Sequence, residues 1–318
     1  MSVHVIHFEH QGRAQWGVVR QGRITPIAGS FPNTAAFVRA ADVATLSSLA
    51  GETIDESNVT LLSPVTRDQQ FVCQGANYRQ HMIESGVDPN AKTYNMIFTK
   101  ASSCIVPANH SVIRPRHVQF LDYEVELGLV LKRDVTGSVR VTDDNLHEFV
   151  AGIVVVNDYS ARDIQIPQMQ FYKGKSYRSF GPVGPYLCLL DRSDIAALKN
   201  LDLQLTVNGE VRQHDSTANL IFTPSETLTE LSGVHDLHTG DLIATGTPAG
   251  CALSIPSPAV QKLGALLPER AKWKMFMRVQ GRRSQYLKPG DVVEARIASA
   301  DGRIDLGTQR NVVVAEAS

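Results

Sequence analysis

The sequence predicts a mainly β fold with short helices, an α+β chain, on three observations. Runs that alternate apolar and polar residues recur along it, as in Val3-His4-Val5-Ile6-His7-Phe8 and in Leu201 to Asn208. Successive strand side chains point to opposite faces, so this is the signature of half-buried strands. One stretch, Phe149 to Asn157, is almost wholly apolar, as a strand covered on both faces is. The segments that read as helical are short. At 318 residues the chain can bury one large core, or one core with a smaller appended domain.

In chain order, Val3 to Ile27 is broken at Gln11-Gly12 and Gln21-Gly22 and reads as a small β meander. Pro32 to Ala50 reads as one or two helices and Gly51 to Asn58 as a polar connection. A boundary is expected near Pro64 to Asp68, which makes residues 1–66 a small N-terminal α/β domain packed against the rest. Phe71 to Ala76 reads as a strand ending in a glycine turn. Asn77 is then the expected N-cap of a short helix, with Gly86 as its C′ residue and Pro89 beyond. The polar segment from Gly86 to Asn95 reads as mobile.

The acidic run Leu121 to Leu127 reads as a strand with Gly128 to Leu131 as its hairpin partner, followed by a turn-rich excursion through Asn145. The apolar strand ends at Asp158, and Ser160 begins a short polar helix limited by Pro167. Phe171 to Pro185 reads as a glycine and proline loop, where lysines such as Lys173 and Lys175 are ordinarily solvated. Asn208-Gly209 is the strongest short hairpin signal in the chain. Thr223 to Leu231 reads as a helix capped by Ser225, and similar turns at 237–241 and 287–291 each lead into an apolar strand. Cys251 to Ser284 reads as irregular and basic, through Arg270, Lys272, Lys274, Arg278, Arg282 and Arg283. Such a run is ordinarily a solvated face; a wall around an anionic ligand or a subunit contact is the alternative.

Charge narrows the partners. With 31 basic and 32 acidic side chains the net charge is −1, so neither nucleic acid nor an anionic membrane is globally attracted. A small neutral or anionic ligand is the default. Cys73, Cys104, Cys188 and Cys251 are far apart, without a CxxC pair, and read as reduced core residues of a cytosolic protein. The N-terminus lacks a basic start and an apolar run, and no segment is apolar enough to span a bilayer, so a cytoplasmic protein is expected.

Three constellations carry chemistry. Asp122, Glu124 and Glu126 fall on one strand face. Side-by-side glutamates repel unless something positive lies between them, and a hard divalent cation such as Mg2+ meets that need; one solvated face is the competing reading. His81 and Glu84 are three apart on the short helix, where a carboxylate can orient an imidazole as a general base, against the reading of an ordinary surface pair. Asp158, at the end of the buried strand, is a rigid ligand or the cap of a turn. Thr245-Gly246-Thr247-Pro248-Ala249-Gly250 lacks the Gly-Lys-Ser/Thr ending of a P-loop, yet its amides and hydroxyls can hold a carboxylate.

Together these pieces resemble the fumarylacetoacetate hydrolase family. The likeness rests on Gly75-Ala76-Asn77-Tyr78 with His81 and Glu84, Asp122 to Leu127, Asn157-Asp158 with Ser160-Ala161-Arg162-Asp163, and Gly174-Lys175-Ser176. Gly184-Pro185, Val207-Asn208-Gly209-Glu210, Gly240-Asp241 and Thr245-Gly246-Thr247-Pro248 follow in family order, over roughly Phe71 to Val314. The resemblance implies a mixed β-roll catalytic domain over 67–318, commonly dimeric. It implies Mg2+, or Mn2+ or Ca2+, on Glu124, Glu126 and Asp158. It also implies a water-activating His81–Glu84 dyad brought in by a lid (the helix and the Gly86 to Asn95 segment), Lys175 at the reacting oxygen or carbanion, and Arg162, Gln165 and Thr247 lining the substrate pocket. The N-terminal unit carries no diagnostic motif, and 251–284 is longer than the family pattern.

The implied chemistry is hydrolytic carbon–carbon cleavage of an acylpyruvate or related 2,4-dioxo acid, releasing pyruvate or a similar 2-oxo acid. The same enolate serves decarboxylation of a 2-oxo diacid, isomerisation of a 2-hydroxy-dienoate in aromatic catabolism, or hydrolysis of a sugar-derived diketo acid. A non-catalytic dimer that binds metal or acid is the reading from another class.

Overall fold

The computed structural model describes residues 2–84, 88–91, 94–255 and 267–317. Strands β1 (Val3–His10), β2 (Arg13–Arg20) and β3 (Arg23–Pro26) form the expected antiparallel meander. Its two turns place Gln11-Gly12 and Gln21-Gly22 at positive φ, as two-residue hairpins require. Helices α1 (Thr34–Ala40) and α2 (Val43–Ser47) are capped by the side chains of Asn33 and Asp42. Then come β4 (Ile54–Asp55), β5 (Thr60–Leu62), β6 (Phe71–Gly75), α3 (Arg79–Glu84), β7 (Met96–Lys100), β8 (Ile105–Pro107) and β9 (Val112–Arg114). The middle of the chain supplies β10 (Leu121–Asp122), β11 (Val125–Leu131), β12 (Val150–Asn157), β13 (Ser160–Ala161), α4 (Arg162–Gln168), α5 (Phe171–Lys175), β14 (Gly181–Val183) and β15 (Tyr186–Leu189). The last part supplies β16 (Leu201–Val207), β17 (Glu210–Ser216), α6 (Pro224–Ser232), β18 (Leu242–Ala244), α7 (Glu269–Gln280), β19 (Val292–Ser299) and β20 (Asp305–Ala315).

The described strands assemble mainly into two sheets. A large mixed sheet runs β4-β3-β2-β1-β15-β12-β11-β18-β6-β7, with β5 added to β1 and β14 bridging β12 and β8; a second runs β17-β16-β19-β20-β9. The N-terminal meander continues the sheet that carries β11, through pairing of β1 with β15. Strands β11 and β12 are buried on both faces. Val125, Leu127, Leu129 and Leu131 pack into a core shared with Leu203, Leu205, Val293 and Ile297 of the second sheet. Val130, Val154 and Val156 face a second core with Trp16, Phe37 and Val38, where Trp16 stacks on Phe37 at 4.0 Å. Each such aliphatic side chain, fully withdrawn from water, contributes about 1.5–3 kcal/mol. Charge placed at the end of these strands therefore rests on a rigid support.

Several local expectations are corrected. The acidic run is not one strand, since Tyr123 and Glu124 interrupt it between β10 and β11. Gly128 to Leu131 is not a separate hairpin partner: β11 continues through it to Leu131 and pairs with β12. A Cβ at Gly128 would lie 2.7 Å from methyls of Val154 and Val156, so the glycine serves close approach. Asn77 does not cap α3; its amide donates to the carbonyls of Phe222 and Thr245 and accepts from the Phe222 N–H. Gly86 lies outside the described residues, as do parts of the segment expected to be mobile and lid-like. Pro167 sits inside α4, which ends at Met169 in the left-handed region, φ 52°. Thr223, with Pro224 behind it, caps α6, while Ser225 donates to Asp143. Part of the segment read as irregular forms α7, and residues 256–266 lie outside the described set. The two similar turns do match, each with a positive-φ glycine (Gly240, Gly290) and an aspartate accepting from the backbone three residues earlier.

Candidate functional site

Strand register assembles the carboxylates. Val125 pairs with Asn157 and Glu126 with Val156 in the antiparallel β11–β12 ladder. One step further, Glu124 stands opposite Asp158, and Asp158 N–H donates to the Glu124 carbonyl at 2.8 Å. Residues directly opposite in such a ladder point to the same face, as do i and i+2. Glu124, Glu126 and Asp158 therefore converge, with carboxylate oxygens within 4.8 Å of one another, all buried.

Buried charge must be compensated. Arg162, first residue of α4, donates from Nε to Asp122 at 2.8 Å and from Nη2 to Glu124 at 2.5 Å, and its Nη1 holds Gln165 Oε1 at 2.8 Å. Lys175, last residue of α5, reaches Glu124 at 2.6 Å, Asp158 at 2.7 Å and Ser160 Oγ at 2.9 Å. The expectation of a solvated loop lysine is thus corrected: Lys175 is 2% exposed. Gly174 makes this possible, because a Cβ there would lie 2.7–2.9 Å from Gln165 and push α5 off α4. Asp122 also accepts from the backbone N–H groups of Ala252 and Leu253, at 2.7 and 2.9 Å.

Two groups here were not singled out from the sequence. Lys100, at the end of β7, is buried and donates to Asp158 at 2.5 Å and to the Phe180 carbonyl at 2.7 Å. Its one signal was a lysine ending an otherwise apolar strand. Gln213 on β17 accepts from Val125 N–H at 3.0 Å and donates to Thr247 Oγ1 and the Pro248 carbonyl, both at 2.9 Å. It locks the strand between the two glutamates to the loop after β18, and nothing in its alternating strand marked it.

That loop holds a carboxylate, the chain's own: Gly246 N–H, at φ 88°, donates to Glu126 Oε2 at 2.9 Å. Thr247 donates to the Val125 carbonyl at 3.0 Å. Burial opposes ionisation of Glu124, but Arg162 and Lys175 overcome it and hold its carboxyl down at about 2. Glu126 goes the other way: burial and then the charges of Asp158 and Glu124 push its carboxyl well up. Burial also disfavours the charged lysines, yet Asp158 and its neighbours keep the pKa of both Lys100 and Lys175 raised.

The donor set fits a hard divalent cation. All three candidate ligands are carboxylates, and Glu126 forms no ion pair among the described residues, while Glu124 and Asp158 share Lys100, Lys175 and Arg162. The solvated-face reading of the acidic run does not hold, since Asp122, Glu124 and Glu126 are all buried.

These groups open into a cavity of about 260 Å³ lined by His81, Glu84, Glu124, Glu126, Arg162, Gln165, Lys175 and Thr247 together. Met96, Phe98, Ile166, Phe171, Leu253 and Ile255 give it an apolar wall. His81 reaches it from α3, and its buried Nδ1 has no hydrogen-bond partner among the described residues. Glu84 does not supply one: its carboxylate accepts from Gly250 N–H at 3.4 Å. Burial pulls the His81 pKa down against the opposing charge of Glu124, so the imidazole is neutral at neutral pH.

Comparison with known proteins agrees with this architecture. The family model described as fumarylacetoacetate (FAA) hydrolase C-terminal matches residues 70–314. The oxaloacetate tautomerase YisK of Bacillus subtilis is 35% identical over 212 residues, 65% of this chain and 68% of that one. The mitochondrial oxaloacetate tautomerase FAHD2A of Bos taurus is 37% identical over 214 residues, 66% of each chain. Among solved structures, a fumarylacetoacetate hydrolase from Exiguobacterium antarcticum superposes with TM-score 0.73 at 28% identity, over 99% of this chain and 100% of that one. A probable 2-hydroxyhepta-2,4-diene-1,7-dioate isomerase from Mycobacterium abscessus gives TM-score 0.73 at 28% identity over 100% of both chains.

Proposed function

The chain belongs to the fumarylacetoacetate hydrolase family, and from that premise we propose that it hydrolyses the carbon–carbon bond of an acylpyruvate-type 2,4-dioxo acid, releasing pyruvate. One observation carries this reading: a single cavity joins a carboxylate cluster suited to a divalent cation with an imidazole whose buried nitrogen has no partner among the described residues. Glu124, Glu126 and Asp158 would hold Mg2+, or Mn2+ or Ca2+ in its place. When bound, such an ion supplies Lewis-acid polarisation of the 2-oxo acid.

The chain's own residues do the rest. Neutral His81 accepts a proton from water at Nδ1 as the water oxygen attacks the distal carbonyl carbon. The negative charge of Glu84 in the same cavity favours the imidazolium that results. Lys175 places fixed positive charge where the enolate develops, in a site whose apolar wall limits water. Arg162, Gln165 and Thr247 shape the end that receives the acid, Arg162 by fixing Glu124 and Gln165 in place. A homodimer in the cytoplasm is part of the same proposal; among the described residues no helix is long and apolar enough to cross a membrane.

A second reading, keto–enol tautomerisation of oxaloacetate, is supported by relatives of that name at 35 and 37% identity. It needs proton transfer and no attacking water. Purified protein with Mg2+ on acetylpyruvate, followed by loss of diketone absorbance and coupled pyruvate detection, separates the two. Pyruvate release abolished by EDTA and by Glu124→Ala is the expected result. Acceleration of oxaloacetate ketonisation without any pyruvate from acetylpyruvate would replace hydrolysis by tautomerisation.

A further inference from the structure

Gln74 lies at the end of β6, is 1% exposed, and lines the same cavity as His81. Its amide nitrogen is fully engaged, donating to Asn95 Oδ1 and to Thr227 Oγ1, each at 2.9 Å. Asn95 in turn donates to Thr227 Oγ1 at 3.3 Å, which fixes the group. The carbonyl end is left over: Gln74 Oε1 is buried without a hydrogen-bond partner among the described residues. A desolvated acceptor left unpaired is costly, so natural interiors supply a donor. The described residues supply none, and a second buried ring or amide atom left without a partner in the same cavity is His81 Nδ1, which accepts when the ring hydrogen is on Nε2. A water molecule is the smallest species that offers two donors to two such acceptors.

We propose that Gln74 is the residue that positions the attacking water, its Oε1 accepting one O–H while His81 Nδ1 accepts the other. This inference rests on the hydrolytic reading above. In the step, the oxygen lone pair forms the new bond to C4 of the 2,4-dioxo acid, and the proton facing His81 moves to Nδ1. The hydrogen facing Gln74 stays on oxygen. The C3–C4 bond then breaks with its electron pair passing to C3, which gives the enolate of pyruvate and a carboxylic acid. The imidazolium returns its proton to C3, so one water and one dioxo acid become one carboxylic acid and pyruvate. His81 must carry its own hydrogen on Nε2 for Nδ1 to accept. An apolar side chain at position 74 would leave the water with one anchor and freedom to rotate, and such misplacement costs about a hundredfold in rate.

The test uses the full chain with Mg2+ and acetylpyruvate. Gln74→Met keeps length and removes the acceptor; kcat should fall about a hundredfold, with KM and the calorimetric Mg2+ Kd changed by less than about twofold. Thr227→Val removes one of the two anchors of the amide nitrogen but leaves Oε1 in place, so kcat should fall by clearly less than in Gln74→Met, about tenfold or under. Equal losses in the two variants, or a parallel loss of Mg2+ affinity, would make Gln74 a packing residue and overturn the inference. If Gln74→Met fails to fold, a crystal structure of the wild-type Mg2+ form decides: an ordered water bridging Gln74 Oε1 and His81 Nδ1 is expected, and its absence refutes the role. Wild-type protein that releases no pyruvate from any acylpyruvate would instead remove the hydrolytic reading itself, a failure visible before any variant is made.

Discussion

Two stretches of this chain are written in nearly the same pattern and end in opposite environments. Leu201 to Val207 and Leu121 to Leu127 both begin Leu-Asp and both alternate apolar with polar residues. In β16 the outcome is the ordinary one: Leu201, Leu203, Leu205 and Val207 are buried, Asp202 is exposed, and Gln204 and Thr206 are partly covered. In the acidic stretch every residue is buried. Alternation decides which side chains share a face; it does not decide whether that face meets water. β16 belongs to the smaller sheet, with one face on the core, whereas β11 lies inside the large sheet between β12 and β18. Over its polar face the chain brings α4, α5 and the loop after β18, and with them the cations that buried carboxylates require.

The two stretches part most widely when one member of a charged pair is removed at each. Arg162→Met strips Asp122 and Glu124 of their shared partner and leaves buried charge uncompensated, a loss of about 3–5 kcal/mol. Asp202 meets His214 at 2.8 Å with both side chains 58% exposed, so Asp202→Ala should change stability by less than about 0.5 kcal/mol. Chemical denaturation of both variants measures the difference. Comparable small losses would mean that water reaches the acidic stretch as it reaches β16.

A substitution of intermediate effect separates stability from function within the site. Glu126 is buried beside Asp158 and Glu124, with no ion pair of its own among the described residues. Glu126→Gln keeps the shape and the bond from Gly246 N–H while removing like-charge repulsion. The metal-free protein should gain about 1 kcal/mol, a rise of roughly 2–4 °C in melting temperature. The further rise that Mg2+ gives the wild type should disappear, because a ligand stabilises only the state that binds it. Thermal unfolding with and without Mg2+ reads both signs; a variant that is less stable without metal would show that the repulsion is already relieved.

Most of the architecture could be read ahead of the structure because its signals are local. The meander announced itself at Gln11-Gly12 and Gln21-Gly22, and the buried strand by the apolar run ending at Asp158. What placed Glu124 opposite Asp158 was strand register, and register depends on partners distant in sequence. Lys100 escaped notice for the same reason: it pairs with Asp158 from a strand that lies four places away across the sheet. Helix caps were misread where the side chain had a distant alternative, as Asn77 has in Phe222 and Thr245. Gly128 to Leu131 reads as a separate hairpin strand because glycine permits a break in the chain as well as close packing, and only the methyls of Val154 and Val156 tell them apart.

The smallest gain in stability is expected in β16. Thr206 is only partly buried, yet its Oγ1 is buried without a hydrogen-bond partner among the described residues. It faces Val211 on β17 and Glu294 on β19. An unpaired hydroxyl is a cost carried for no visible return, and a valine there keeps the volume, removes the polar atom and favours the extended backbone. Thr206→Val should therefore stabilise the protein by up to about 1 kcal/mol, with the proposed activity unchanged, since the candidate site draws nothing from this hydroxyl. At Asp122 and Glu124 the sign is opposite, because each is held by Arg162 and its removal leaves that buried cation behind. A loss of stability in Thr206→Val would mean that solvent satisfies the hydroxyl, so that β16 is wetter than its burial implies and the contrast with the acidic stretch is wider still.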